Sequence, residues 1–419
     1  MTADLAHATP WGATHHHTDL GGDVHWIHWD APEGGVDATP MVLVHGLGGS
    51  HTNWLEVGQM WSQHREVFAL DLRGFGLTAG HPADTAVLAN RDLVVAFLEH
   101  VVRRTAIVVG NSMGGMISTF VTRSRPDLVA GLVLVDPALP AVPVRPDPVV
   151  ASRFAVFALP GVAEAGLRRA RQTLPPRVLA EQVAALVFAD RSKGSQAVMD
   201  VNVEVATRRG AIDGAMGDID RSFTRAARSL LVVVGRPRRY AAHLAALPGP
   251  VLLLHGDKDR LVSVEAARRT ARANPDWDYV EFAGVGHVPQ MEVPQSVAAV
   301  VDEWIERRVE GTSAAGSDEC GADPTVRDQG RDPRAGRPRG LAETQRHRLP
   351  RVGPRGRQSR PGRRGLPRRQ RAGLSTGHDA ANRAVVADVP SDRLDLVGLA
   401  LHGPKNAVDK VVKGARLHP

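Results

Sequence analysis

Gly110-Asn111-Ser112-Met113-Gly114 is the stretch that decides the fold. It follows the apolar run Ala106-Ile107-Val108-Val109 and precedes a segment, Met116 to Arg123, that can form a helix. A serine set between two glycines at a strand-to-helix turn has the pattern of a nucleophile elbow. In so tight a turn a side chain at either flanking position would clash, so glycine is needed there. The hydroxyl is lifted above the sheet, and the helix N-terminus below it favours the negative charge that develops in acyl transfer. The same five residues also describe an ordinary glycine-rich loop, so the surrounding chain has to decide.

Working outward, Met41–Val44, Val67–Leu72, Ala106–Val109 and Leu132–Val135 are short runs rich in Val, Leu and Ile. Such runs suit strands buried on both faces. Between them Val87, Val94, Leu98 and Val101 recur at helical spacing, with Asp84 or Thr85 available as an N-cap. Strand–helix alternation predicts an α/β fold with a mostly parallel, doubly wound sheet. From residue 138 to about 235 the pattern is helical, with no strand signal until Leu231–Val234. Strand signals return at Val251–Leu254 and Tyr279–Phe282, and a closing helix follows Pro294, with Val297, Val301, Trp304, Ile305 and Arg308 on one face. The expected organisation is a core over residues 1–137 and 236–310, a helical cap insertion at 138–235, and a tail at 311–419.

Three further loops sit at predicted strand ends. His45-Gly46-Leu47-Gly48 follows Met41–Val44, where the N–H of Leu47 can join that of Met113 as an oxyanion hole. Gly256-Asp257-Lys258-Asp259 offers two carboxylates that can orient a histidine, and Asp136, at the end of an earlier strand, is a third. Gly284-Val285-Gly286-His287 presents a histidine on a glycine-rich loop, as a general base requires. The chain order of serine, acid and histidine is the order this architecture uses.

The chain's net charge of +7 is unevenly spread. Residues 311–419 carry 22 Lys+Arg against 11 Asp+Glu, so the remainder is slightly acidic. The tail has no Phe, Trp or Tyr, and residues 331–372 hold 15 Arg among Pro and Gly. It reads as disordered, with little to build a core from, and as the kind of text that off-frame reading of GC-rich DNA produces. Arginine can neutralise phosphates, but no aromatic offers base stacking, so no nucleic-acid partner is expected for the folded part. The single cysteine, Cys320, excludes an intrachain disulfide. The N-terminus lacks the pattern of a signal peptide, and no apolar run approaches membrane-spanning length, so the expectation is a cytoplasmic protein without a membrane span. His15-His16-His17 is a local run without further ligands at useful spacing; it reads as exposed, and neither metal nor cofactor is expected.

Residues 40–137 and 250–309 resemble the alpha/beta-hydrolase superfamily. The pieces that carry the resemblance are His45-Gly46-Leu47-Gly48, Asp71-Leu72-Arg73-Gly74-Phe75-Gly76, Gly110-Asn111-Ser112-Met113-Gly114-Gly115, Leu134-Val135-Asp136-Pro137, Gly256-Asp257-Lys258-Asp259 and Gly286-His287. The resemblance implies the second aspartate of the Gly-Asp-x-Asp pattern, Asp259, as the acid. It implies a serine hydrolase with Ser112 as nucleophile, His287 as base, and the N–H groups of Leu47 and Met113 holding the oxyanion. Asn111 and Gly46 are assigned to substrate contact.

A serine at the elbow argues against the dehalogenase and epoxide-hydrolase branches, which carry Asp there. A carboxylic-ester hydrolase is the first expectation. A carbon–carbon bond hydrolase of aromatic ring-cleavage products is the alternative, which Gly-Asn-Ser-Met-Gly-Gly favours and for which Asn53 is a further polar group. Against it stand Gly48-Gly49-Ser50, where that family has Gly-Pro-Gly, and Val288, where it has Trp. A non-catalytic binding protein of the same fold is a third reading. Phe154, Val156, Phe157, Leu159, Leu167, Leu186, Val187 and Phe188 suggest an apolar cap wall and a lipophilic small-molecule substrate. Oligomeric state is not legible.

Overall fold

The computed structural model describes residues 8–311, except 36, 141–146 and 212–217. The tail expectations therefore lie outside the described residues. Eight strands form one sheet: β1 (Thr14–Asp19), β2 (Asp23–Trp29), β3 (Met41–Val44), β4 (Val67–Leu70), β5 (Ala106–Asn111), β6 (Val129–Val135), β7 (Val251–Gly256) and β8 (Asp278–Phe282). Their order is β1-β2-β4-β3-β5-β6-β7-β8. Strands β4, β3 and β5 to β8 run parallel, and the β1–β2 hairpin joins β4 antiparallel. The parallel sheet has the expected architecture. The hairpin escaped the sequence reading because its strands are rich in histidine and lack a long apolar run. Of the histidine run read as exposed, only His17 is; His15 and His16 are half-buried in β1.

Alternate side chains divide the sheet between two cores. Val42, Val44, Val108 and Leu134 face one layer, built from α2 (Val87–Phe97), α3 (Met113–Ser124) and α10 (Val264–Ala273). Met41, Leu43, Val109 and Val135 face the other, built from α1 (Leu55–Trp61) and α12 (Pro294–Ile305). Trp29, Trp54, Trp61 and Trp304 are all wholly buried in the second layer. Helix α2 lacks the expected side-chain cap: its N-cap is Ala86, and Thr85 Oγ1 instead donates to the Ser222 carbonyl at 3.0 Å.

The cap lies between β6 and β7: α4 (Pro148–Phe157), α5 (Val162–Thr173), α6 (Pro176–Val187), α7 (Gln196–Ala211) and α8 (Ile219–Val234), followed by α9 (Pro237–Leu244). Leu231–Val234 is the last turn of α8, not a strand. Asp218 caps that helix, and Ala226, Ala227 and Leu230 are buried at helical spacing while Val232 is exposed. Leu159 is also solvent-facing, at 53% exposure, and leaves the expected apolar wall. Among the described residues no single helix is long and apolar enough to cross a membrane.

Candidate active site

The loops that follow β3, β5, β6, β7 and β8 all leave the same edge of the sheet, because these strands are parallel and in register: Val44 lies beside Gly110, Asn111 beside Val135, and Val135 beside Leu254. Ser112 follows β5 with φ 55° and ψ −117°, a conformation an L-residue adopts only under strain of about 1–3 kcal/mol. The strain is held by hydrogen bonds from Ser112 N–H to the Val135 carbonyl and from the Met116 and Ala138 N–H groups to the Ser112 carbonyl. A Cβ on Gly110 would lie 2.6 Å from the Gly114 carbonyl oxygen, and one on Gly114 would run into the carbonyls of Val44 and His45. Ser112 is half-exposed between buried Asn111 and Met113.

His287 Nδ1 bonds Asp259 Oδ2 at 2.7 Å. With Asp259 ionised, the ring carries its hydrogen on Nδ1, and Nε2 is its basic nitrogen. Asp259 Oδ1 accepts the N–H groups of Leu261 and Val262. Burial raises the Asp259 carboxyl, but the His287 charge and hydrogen bond reverse this and leave it below the ordinary value. Asp257, the first aspartate of the pair, accepts Gly284 N–H and Lys258 Nζ instead. Asp136 is wholly buried, accepts Gly256 N–H at 3.0 Å, and lies near His255 and Asp259. Burial, then the Asp259 charge, pushes its carboxyl well above the ordinary range. Among the described residues Ser112 Oγ and His287 share no hydrogen bond; the ring is held from its other side by Asp259.

The Met113 N–H lies in the first turn of α3, where no residue four positions earlier accepts it. Leu47 N–H meets no backbone acceptor among the described residues. Gly46 stands against the nucleophile: a Cβ there would lie 2.9 Å from Ser112 Cβ. His45 holds this loop, donating Nδ1–H to the Gly46 carbonyl and accepting Leu72 N–H at Nε2. Burial pulls its ring down to about 4, so it is neutral. The amide nitrogen of Asn111, assigned to substrate contact in the sequence, donates to the carbonyls of Val135 and His287 at 3.0 and 3.1 Å. It ties the histidine loop to the elbow. Asn53 is likewise used internally, accepting Ser50 N–H in a capping box.

Two features went unread in the sequence. Glu292, in the short helix α11 (Pro289–Glu292), is buried and accepts the N–H groups of Ala189, Asp190 and Gly286. His287 N–H also donates to the Val187 carbonyl at 2.7 Å, so the end of α6 is fastened to the histidine loop. Phe223, on α8, packs on Phe157, which packs on Phe154, with ring centroids 5.2 and 6.0 Å apart. Its ring edge lies 3.2 Å from where a Gly48 Cβ would be, so cap aromatics reach the Leu47 loop.

Comparisons with known proteins point to the same fold. The chain is 26% identical to the pimeloyl-[acyl-carrier protein] methyl ester esterase of Vibrio vulnificus, over 64% of this chain and 94% of that protein. It is 25% identical to the 2-hydroxy-6-oxo-6-(2'-aminophenyl)hexa-2,4-dienoic acid hydrolase of Metapseudomonas resinovorans, over 66% and 87%. A structure of 2-hydroxy-6-oxo-6-phenylhexa-2,4-dienoate hydrolase from Rhodococcus sp. strain RHA1 superposes with a TM-score of 0.54, at 21% identity, covering 70% of this chain and 99% of that one. Of two other curated relatives the chain spans only 62% and 64% of the length. Residues 370–419 match a second family model, a protein of unknown function, which counts against reading that part of the tail as accidental text. A model of the alpha/beta hydrolase fold matches residues 39–294, and the chain belongs to that family.

Proposed function

We propose that the chain is a serine hydrolase that cleaves carboxylic esters of lipophilic acyl or ring compounds through an acyl-enzyme. The observation that carries this reading is the 2.7 Å bond between His287 Nδ1 and Asp259 Oδ2, on loops that leave the same sheet edge as the strained Ser112. In the proposed reaction His287 Nε2 takes the Ser112 Oγ proton as Oγ attacks the ester carbonyl carbon. The N–H groups of Leu47 and Met113 receive the oxyanion, and loss of either costs about 3 kcal/mol of barrier. His287 then gives its proton to the departing alkoxide. Water, deprotonated by the same ring, releases the acid and restores Ser112. Asp259 holds the tautomer throughout.

A second reading, carbon–carbon bond hydrolysis of a ring-cleavage dienoate, is favoured by the likeness to the Metapseudomonas hydrolase and by Asn111 in the elbow. A panel of short-chain and medium-chain esters and one such dienoate, with Ser112→Ala as control, separates the two. Ester turnover lost in Ser112→Ala is expected; turnover that survives the substitution refutes the mechanism. Dienoate turnover far above that of any ester would establish the second reading. A fluorophosphonate probe that labels the wild type but not Ser112→Ala excludes a non-catalytic binding protein.

A further inference from the structure

The β1–β2 hairpin gathers histidines that are far apart in sequence and that ester hydrolysis does not use. His15 lies on β1 and His25 on β2, while His51 opens the turn after the Leu47 loop. The ring centroids are 5.1 Å apart for His15 and His25, 4.7 Å for His25 and His51, and 5.8 Å for His15 and His51. One nitrogen from each ring lies within 4.8 Å of the other two. His25 and His51 are wholly buried, and His15 is half-buried at the sheet edge. We propose that His15, His25 and His51 form a binding site for a divalent transition-metal ion of the zinc class.

The strongest support is the buried carboxylate behind two of the rings. Asp71 Oδ2 bonds His25 Nδ1 at 2.8 Å and His51 Nδ1 at 2.9 Å. The same carboxylate accepts the N–H groups of His51 and Leu77. An ionised carboxylate only accepts, so both rings carry hydrogen on Nδ1 and each Nε2 is left as the basic nitrogen. A carboxylate that fixes the tautomer and aim of metal-binding imidazoles is the usual outer shell of such sites. Here one carboxylate serves two rings.

His15 is the adjustable ligand. Its Nδ1 stands 2.8 Å from His25 Nε2, a hydrogen-bond distance. Nitrogens bound tetrahedrally to zinc at about 2.0–2.1 Å lie about 3.3 Å apart. Binding therefore opens the pair by roughly half an ångström and moves the His15 proton from Nδ1 to Nε2, with no net proton released. The edge position of β1 permits that shift. Three imidazoles without a carboxylate or thiolate ligand suit zinc, cobalt, nickel or copper, and not calcium or magnesium. Water would complete the coordination. The bound ion would staple the edge hairpin to the loop that leads into α1, independently of the ester chemistry.

The test uses untagged full-length protein, stripped with a chelator, with Zn2+ affinity measured by competition against a chromophoric chelator. Histidine and cysteine side chains are metal ligands wherever they are accessible, and His347, His378, His402, His418 and Cys320 lie beyond residue 311, so the comparison between variants decides. His15→Ala is expected to lower zinc affinity by at least tenfold and to abolish the zinc-dependent rise in melting temperature. His16→Ala, whose ring stacks on Trp26, is expected to match the wild type. Ser112→Ala is also expected to bind zinc normally, which separates this inference from the hydrolase reading. Cobalt gives a second measurement: the wild type should show the strong visible bands of a four-coordinate site, weakened in His15→Gln should His15→Ala not fold. Zinc affinity and cobalt bands unchanged by substitution of His15, or wild-type binding no tighter than about 1 mM, would overturn the proposal.

Discussion

Asp136 and Asp259 leave neighbouring strands, lie close together and have wholly buried side chains, yet their surroundings shift the two carboxyls in opposite directions. Asp259 faces His287 and accepts two backbone N–H groups, so it is the carboxylate that stays charged. Among the described residues Asp136 has only His255, at 3.4 Å, as an ion-pair partner, and burial, then the Asp259 charge, pushes its carboxyl well above the ordinary range. Groups whose environments separate them in this way usually have different roles. We expect Asp259→Asn to lower kcat by about 10⁴, because the amide stabilises the wrong histidine tautomer. Asp257→Asn should stay within about twofold, since Asp257 holds Gly284 and Lys258 rather than His287. Steady-state ester kinetics on the two variants checks both. For stability the signs differ. The folded state raises the Asp136 carboxyl, so its favourable contribution is complete below the ordinary carboxylate value and is lost as pH rises through the folded value. Asp136→Asn should therefore gain in melting temperature on the wild type as pH rises from about 4 to about 9. A difference that stays flat over that range would show that Asp136 is not held protonated. Asp259 has the opposite sign: its contribution is present at neutral pH and is lost on acidification.

At the scale of elements, the joint between α6 and α11 sets where His287 stands. Three backbone N–H groups converge on one buried carboxylate, Glu292, two of them from the cap and one from Gly286. Glu292→Gln puts an amide donor against donors and leaves at least one N–H unsatisfied, at about 1–3 kcal/mol. The expected outcome is a melting temperature lower by several degrees and a reduced kcat, because the residue beside Gly286 is His287. Thermal melts and kinetics on the same preparation read both effects. An unchanged kcat with a lowered melting temperature would assign Glu292 to stability alone. The elbow was legible in the sequence because its constraints are local: Gly110, Ser112 and Gly114 meet steric limits within a few residues of one another. The core strands were legible because both faces are buried. Glu292 was not, since its cap partners lie 102 and 103 residues away and are backbone groups without a side-chain signature. Leu231–Val234 misled because a β-branched apolar run suits a strand and the end of an amphipathic helix alike. The histidine run misled on exposure because the neighbours that half-bury His15 and His16 arrive only through hairpin pairing and a loop after β3.

For the whole molecule, the two family matches, residues 39–294 and 370–419, do not overlap, and every residue proposed for the reaction lies between 46 and 287. The fold needs more chain than the chemistry does. Helix α12 closes the second core with Trp304 and Ile305, which are 1% and 0% exposed. Just beyond it, Glu310 bonds Arg65 at 2.7 Å, and the Arg65 side chain is only 5% exposed. Glu310 is 38% exposed and Arg65 also donates to the Thr39 carbonyl, so losing the pair costs about 1–3 kcal/mol. Truncation can therefore be placed with some sharpness. A chain ending at Gly311 keeps α12 and the Arg65–Glu310 pair, loses the tail's excess of basic residues, and is expected to retain kcat within about twofold with a melting temperature close to the full chain's. A chain ending at Val293 strips the second core of Val297, Val301, Trp304 and Ile305 and is expected to aggregate or to fail to give a cooperative melt. Expression of both, with melting curves and ester turnover against the full chain, gives the answer. A large loss of turnover in the chain ending at Gly311 would mean that residues 312–419 take part in the hydrolase site, and the tail would then have to be counted among the elements that build it.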